Sequence, residues 1–197
     1  MLNVAVLVSG GGTNLQALID AQANGGLKSG RLALVVSSRP GAFALERAAK
    51  AGIPSRVVRR ADFADAAAYG AALLAVLREF GIGAVVLAGF LSILDRSVIE
   101  AYPERILNVH PSLIPSFCGE GYYGLRVHEA ALARGVKLTG ATVHLVNEVP
   151  DGGRIVLQKA VEVLPGDTPE TLQKRVMEQA EWQLLPRALE LLCSGKL

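Results

Sequence analysis

Val4-Ala5-Val6-Leu7-Val8 is an unbroken apolar run that ends in Ser9-Gly10-Gly11-Gly12 and gives way to an amphipathic stretch. A strand with one wet face alternates apolar and polar residues. A run without that alternation is covered on both faces, which calls for helices on either side of a mostly parallel sheet. Ala84–Ala88 has the same character. Around these two runs, short β-branched segments alternate with longer alanine-rich ones. Strands are expected at Asn3–Val8, Leu32–Ser37, Arg56–Val58 and Ala84–Ala88, and helices at Asn14–Ala23, Phe43–Ala51 and Phe63–Phe80. That order is α/β, doubly wound.

The pattern changes from Ile106 onward. A strand at Ile106–His110 leads into a loop rich in proline and glycine, then a helix at Val127–Arg134. Strands at Thr139–Val146 and Ile155–Val163, joined through Pro150-Asp151-Gly152-Gly153, read as an antiparallel hairpin on the sheet edge. The last helix opens at Thr168-Pro169-Glu170, where threonine caps and proline takes the first position, and runs to about Cys193 with a kink expected at Pro186. With 197 residues, 51% of them hydrophobic, the chain suffices for one well-buried core, so a single domain over residues 1–197 is expected. Its N-terminal half, about 1–100, carries the glycine turn; its C-terminal half, about 101–197, carries the candidate chemistry.

Charge narrows the partner class. Twenty basic and 18 acidic residues are scattered to a net +2, with no basic footprint for nucleic acid. Cys118 and Cys193 are too sparse for a disulfide framework, which favours a reducing, cytoplasmic setting. No apolar run approaches the ~20 residues of a membrane helix. Small-molecule partners remain, as monomer or homodimer, without nucleic acid or membrane.

The first strand-to-helix turn, Ser9 to Asn14, places backbone N–H groups at a helix N-terminus, a ready anion site. A dinucleotide fingerprint would need glycine at Leu15 and an acidic residue where Ser37-Ser38-Arg39 stands, and no Walker lysine follows. A phosphate monoester fits that turn better than NAD or ATP. Asn108 and His110 are two apart on a strand, so both side chains point one way, roughly 6 to 7 Å apart. They lie at a strand's C-terminal end, where open α/β sheets bind their ligands, and Pro111 and Pro115 stiffen the exit. An amide donor beside a titratable ring suits acyl chemistry. His144 shares a strand face with Thr142, leaving a supporting role and a structural hydrogen bond both open. Asp151, on the hairpin tip, is equally open between an ordinary turn aspartate and a part in the chemistry. His128 reads as a helix-surface residue. There is no G-x-S-x-G elbow for a serine hydrolase, and no H-E-x-x-H or paired cysteines for a metal.

Five blocks occur in an order that resembles the phosphoribosylglycinamide formyltransferase branch of the folate-dependent formyltransferases. They are Ser9 to Gln16, Leu87 to Leu94, Asn108 to Pro115, Gly140 to His144 and Asp151-Gly152-Gly153. The Asn-x-His-Pro-Ser-Leu-x-Pro block belongs to the wider family, while the glycine-rich start and the short chain favour this branch. The resemblance implies transfer of formyl from 10-formyltetrahydrofolate to the amine of glycinamide ribonucleotide, in purine biosynthesis and without metal. It makes Asn108, His110 and Asp151 catalytic, with Asn108 also contacting the folate. Gly12, Thr13 and Asn14 would hold the phosphate, with Gly89, Pro111 and Glu181 also contacting that substrate. Leu91, Ser92, Ile93 and Leu94, with Asn147, Glu148, Val149 and Pro150, would bound a slot for the pterin.

The chain departs from the family pattern in places. Other members carry an arginine for the folate's glutamate tail near the position of Ala66, where the nearby cations here are Arg59 and Arg60. The loop Phe117 to Gly124 is long, and the last helix carries one extra residue before Glu181. Methionyl-tRNA formyltransferases resemble a longer, more basic chain, and formyltetrahydrofolate hydrolases carry an extra N-terminal domain. A non-catalytic sugar-phosphate-binding module would use the glycine turn alone.

Overall fold

The computed structural model describes residues 1–197. Seven strands form one sheet: β1 (Leu2–Val8), β2 (Gly30–Ser37), β3 (Ser55–Val57), β4 (Ala84–Leu87), β5 (Ile106–His110), β6 (Leu138–Leu145) and β7 (Ile155–Glu162). Their spatial order is β3-β2-β1-β4-β5-β6-β7. The first five are mutually parallel, and β6 and β7 run antiparallel. The doubly wound expectation and the edge hairpin are both borne out.

β1 is flanked by β2 on one side and β4 on the other, so the chain reverses its direction of winding there. A crevice opens at such a switch point, beyond the strands' C-terminal ends. The apolar run of β1 accounts for its central place. Val4, Val6 and Val8 enter a 27-residue core on one face, Ala5 and Leu7 a 16-residue core on the other, and all five are fully buried. Full burial of such a side chain is worth about 1.5–3 kcal/mol, so a polar residue on either face would be disfavoured.

The helices are α1 (Thr13–Ala23), α2 (Phe43–Lys50), α3 (Ala66–Glu79), α4 (Arg96–Ala101), α5 (Leu125–Arg134), α6 (Pro169–Val176) and α7 (Trp182–Cys193). α3 starts later than its apolar pattern suggests, because the Asp65 side chain accepts from the Ala68 amide and caps it there. Arg60–Asp62 forms a separate 3₁₀ turn before it. α4, short and capped by Asp95, was not legible from periodicity. Between α6 and α7 the chain makes one π turn at Met177–Glu181, while α7 runs unbroken through Pro186. The irregularity expected at that proline lies a turn earlier. A π turn is the usual result of one residue inserted into an α-helix, which fits the extra residue before Glu181.

Candidate active site

Two strands and two loops converge on one carboxylate. Asp151, on the β6–β7 connection in a left-handed conformation (φ 53°), is only slightly exposed. Its Oδ1 lies 3.4 Å from Asn108 Nδ2 and 3.4 Å from His144 Nε2. Its Oδ2 lies 3.4 Å from His110 Nδ1 and accepts the Gly119 amide at 2.8 Å. Asn108 and His110 therefore do share a face of β5, and the cross-strand pairing of Asn108 with His144 brings the second ring alongside.

The hydrogen bonds fix proton positions. His144 Nδ1 is 2.9 Å from the Leu145 carbonyl, which can only accept, so that nitrogen carries the hydrogen. His144 Nε2 then accepts from Asn108 Nδ2 at 3.1 Å. His110 Nε2 donates to the Phe117 carbonyl at 2.8 Å, leaving Nδ1 toward the carboxylate. Burial lowers the His110 ring's pKa. The Phe117 bond and Asp151 oppose that shift without cancelling it, and His144 adds to it. Burial pushes the Asp151 carboxyl up, but His144, the Gly119 amide and His110 together outweigh it and hold the group below its ordinary value. Both partners shift down because the ring is the more deeply buried of the two, so its loss of hydration outweighs the attraction between them.

The glycine turn stands at the end of β1, two strands from β5. Gly12 takes φ 72° at the start of α1, and a Cβ there would lie 2.6 Å from that of Ala44. Only glycine lets α2 approach so closely. Arg47 secures the turn from α2, donating to the Gly11 carbonyl and to Gln16. Asn14, on the first turn of α1, donates to Glu181 Oε2 at 2.6 Å. Burial raises the Glu181 carboxyl to about 7, with Asn14 acting against the shift.

Residues 2–189 match the family model described as formyl transferase. The chain belongs to the formyl transferase family. It is 44% identical to the human trifunctional purine biosynthetic protein adenosine-3, over 98% of this chain and 18% of that protein. This formyl transferase chain thus spans under a fifth of the length of its trifunctional relatives. The chloroplastic phosphoribosylglycinamide formyltransferase of Arabidopsis thaliana is 38% identical, over 98% of this chain and 66% of that one. The crystal structure of glycinamide ribonucleotide transformylase 1 from Symbiobacterium toebii superposes with a TM-score of 0.93 at 42% identity, covering 99% of this chain and 89% of that chain.

Within this formyl transferase fold, one ion pair links the neighbourhoods of the two segments expected to bound a slot. Arg96, just past Leu91–Leu94, contacts Glu148 at 3.3 Å. The Leu91 amide donates to Ser9 Oγ, tying that loop to the end of β1. Leu91, Ile93 and Val149 are exposed, whereas Leu94 turns into the core. Gly89, left-handed at φ 69°, begins the loop, and Pro111 follows β5 half-buried. Asn147 accepts the Val149 amide, and Pro150 is exposed beside Asp151.

Other placements depart from the sequence reading. His128 is fully buried rather than on the surface, with neither ring nitrogen hydrogen-bonded, because α5 packs under α6. Burial, with His110 nearby, lowers its pKa to about 4. Glu181 presents its carboxyl to Asn14 and is 6% exposed. Phe117 and Gly119 reach the site only through backbone atoms, which no side-chain pattern announces. No group of three or more His, Cys, Asp or Glu side chains is arranged to hold a metal ion. No helix is long and apolar enough to cross a membrane.

Proposed function

We propose that this chain transfers a formyl group from 10-formyltetrahydrofolate to the primary amine of glycinamide ribonucleotide, giving formylglycinamide ribonucleotide and tetrahydrofolate. The observation that carries the reading is the Asp151 carboxylate held against Asn108, His110 and His144 at the end of β5. Membership of the family supplies the reaction class, and the names of the plant and bacterial relatives supply the acceptor.

The amine attacks the formyl carbon, and the carbonyl oxygen gains negative charge. Asn108 Nδ2 and His110 donate to that oxygen. Asn108 Nδ2 faces His144 and Asp151, so the formyl oxygen takes the place of protein acceptors there, while the Phe117 carbonyl keeps His110 Nε2 and leaves Nδ1, beside Asp151, for the reacting oxygen. An anionic oxygen is a stronger acceptor than an amide carbonyl, so the exchange favours the transition state over the ground state. One such donor is worth about 3–4 kcal/mol in comparable sites. The proton leaving the attacking amine, relayed through a water oriented by Asp151, becomes the second proton of His110, because Asp151 and the oxyanion both favour the imidazolium. His110 then gives that proton to the departing folate nitrogen as its bond to the formyl carbon breaks.

Phosphate on the Gly12-Thr13-Asn14 amides sets the amine's reach, with Gly89 and Pro111 along the path and Glu181 beneath Asn14. The pterin occupies the slot between Leu91–Leu94 and Asn147–Pro150, with the exposed apolar side chains covering its ring. Beyond the slot, Arg59 is held by both its Nε and Nη2 on Asp62, whereas Arg60 makes one contact, to the Phe63 carbonyl. Arg60 is thus the cation left to meet the folate's glutamate tail.

The test is a transfer assay with and without the amine, on wild type and His110→Ala. Formylated ribonucleotide from wild type, and at least a hundredfold less from the variant, is the expected result. Formate released equally with or without the amine would make the chain a hydrolase, and no turnover at all would make it a binding module.

A further inference from the structure

Gln158 lies on β7, the exposed edge strand, on the far side of β6 from the reacting groups. Its Nε2 nevertheless donates to Thr142 Oγ1 at 2.9 Å and to the Ile114 carbonyl at 3.1 Å. A carbonyl only accepts, so the amide nitrogen must face it, and both of its hydrogens are engaged. Thr142 is saturated in the same way. Its hydroxyl donates to the Ser112 carbonyl at 2.7 Å and accepts from the Ile114 amide at 3.1 Å as well as from Gln158. One donor and two lone pairs are all that a hydroxyl has.

Ile114 is therefore gripped at both backbone groups, its N–H by Thr142 and its C=O by Gln158. Three residues later stands Phe117, whose carbonyl accepts from His110 Nε2. The intervening turn is closed by the Ser116 amide on the Leu113 carbonyl and by the Ser112 hydroxyl on the Ser116 carbonyl. Phe117 itself sits at φ 49°, a conformation a bulky residue keeps only where its surroundings hold it. Hydrogen bonds, joined through the backbone of Ser112 to Phe117, connect the edge strand to the ring.

We propose that Gln158 is a positioning residue for formyl transfer, acting through Thr142 and Ile114 to set the Phe117 carbonyl against His110. The inference rests on the formyl-transfer reading for its kinetics but not for its geometry. Gln158→Leu removes both donors without adding charge. Its kcat is expected to fall at least tenfold, while KM for the ribonucleotide, bound at the distant glycine turn, stays within twofold. The bond from His110 to Phe117 raises the ring's pKa, so loosening it moves the His110 titration, followed by imidazole NMR, to lower pH. Thr142→Val should reproduce both changes, Thr142→Ser should leave both near wild type, and adding Gln158→Leu to Thr142→Val should cost less than Gln158→Leu costs alone.

An unchanged kcat with an unmoved titration overturns the proposal. So does a loss in which Tm and ribonucleotide KM worsen in step with kcat, since that is the mark of a merely structural side chain. If wild type transfers no formyl group, the reaction assignment fails separately, and the ring titration in Gln158→Leu still decides the role of the brace.

Discussion

Single residues divide between binding and chemistry in a way that kinetics can separate. Asp151 touches Asn108, His110, His144 and the Gly119 amide but nothing on the glycine turn. Asp151→Asn keeps the shape, loses the charge that steadies a protonated ring, and should lower turnover by about a hundredfold or more, roughly 3 kcal/mol. Ribonucleotide affinity should hold within a fewfold. Gly12→Val should do the reverse, since a side chain at φ 72° meets Ala44 and displaces the amides proposed to receive phosphate. Isothermal titration beside steady-state rates checks both, and an affinity loss in Asp151→Asn as large as its rate loss would contradict the division of labour. The residues themselves were readable where spacing fixes direction: Asn108 and His110, two apart on a strand, do converge. Asp151 was open between a turn residue and a catalyst because nothing local says where a hairpin tip will fold back. His128 misled because the pattern of its own helix does not reveal a later helix, α6, laid over it.

Elements carry the next constraint, chiefly the connection from β6 to β7. Gly153 passes so close to its own strand that a Cβ would lie 1.7 Å from the Leu145 carbonyl oxygen, and Gly152 would meet Val149 at 2.7 Å. This close return is what carries Asp151 back over the end of β5. Gly153→Ala must push the connection outward, lengthening the 3.4 Å approaches of the carboxylate. A fall in kcat of about tenfold or more is expected, because a misplacement of about 1 Å can cost a hundredfold, with the fold intact by circular dichroism. An alanine variant with full activity would mean that the connection adapts and the close return is incidental. Elements were legible from sequence in proportion to their length and periodicity, as the order of strands shows. The capped start of α3, the six-residue α4 and the π turn at Met177–Glu181 were not, since each depends on one hydrogen bond or one inserted residue rather than on a pattern.

At the scale of the whole molecule, two buried titratable groups bend the pH dependence of stability in opposite directions. His128 titrates near 4 when folded and near 6.5 when unfolded, so between those values the unfolded chain binds more protons and stability rises with pH. His110, lowered in the same direction, adds to this slope. Glu181 titrates near 7 when folded against an ordinary 4.5, so across that window the folded chain binds more protons and stability falls as pH rises. Each span of about 2.5 units corresponds to about 3 kcal/mol, and the windows overlap from 4.5 to 6.5. The opposed slopes should leave wild type nearly flat there. Substitution should uncover each slope in turn. His128→Leu removes the rising contribution, so its advantage over wild type in chemical denaturation should be larger at pH 4.5 than at pH 7. Glu181→Gln keeps an amide contact to Asn14 without a charge to bury, so its advantage should be larger at pH 8 than at pH 5. Parallel profiles for wild type and both variants would mean that neither group changes its proton affinity on folding. The coupling reaches function through Asn14, which joins Glu181 to the turn proposed to receive phosphate. A dianion bound there favours the protonated carboxyl beneath it, so ribonucleotide should stabilise wild type less at pH 8 than at pH 6. Glu181→Gln should lack that loss, since the phosphate's own titration, which favours the dianion as pH rises, is all that remains there.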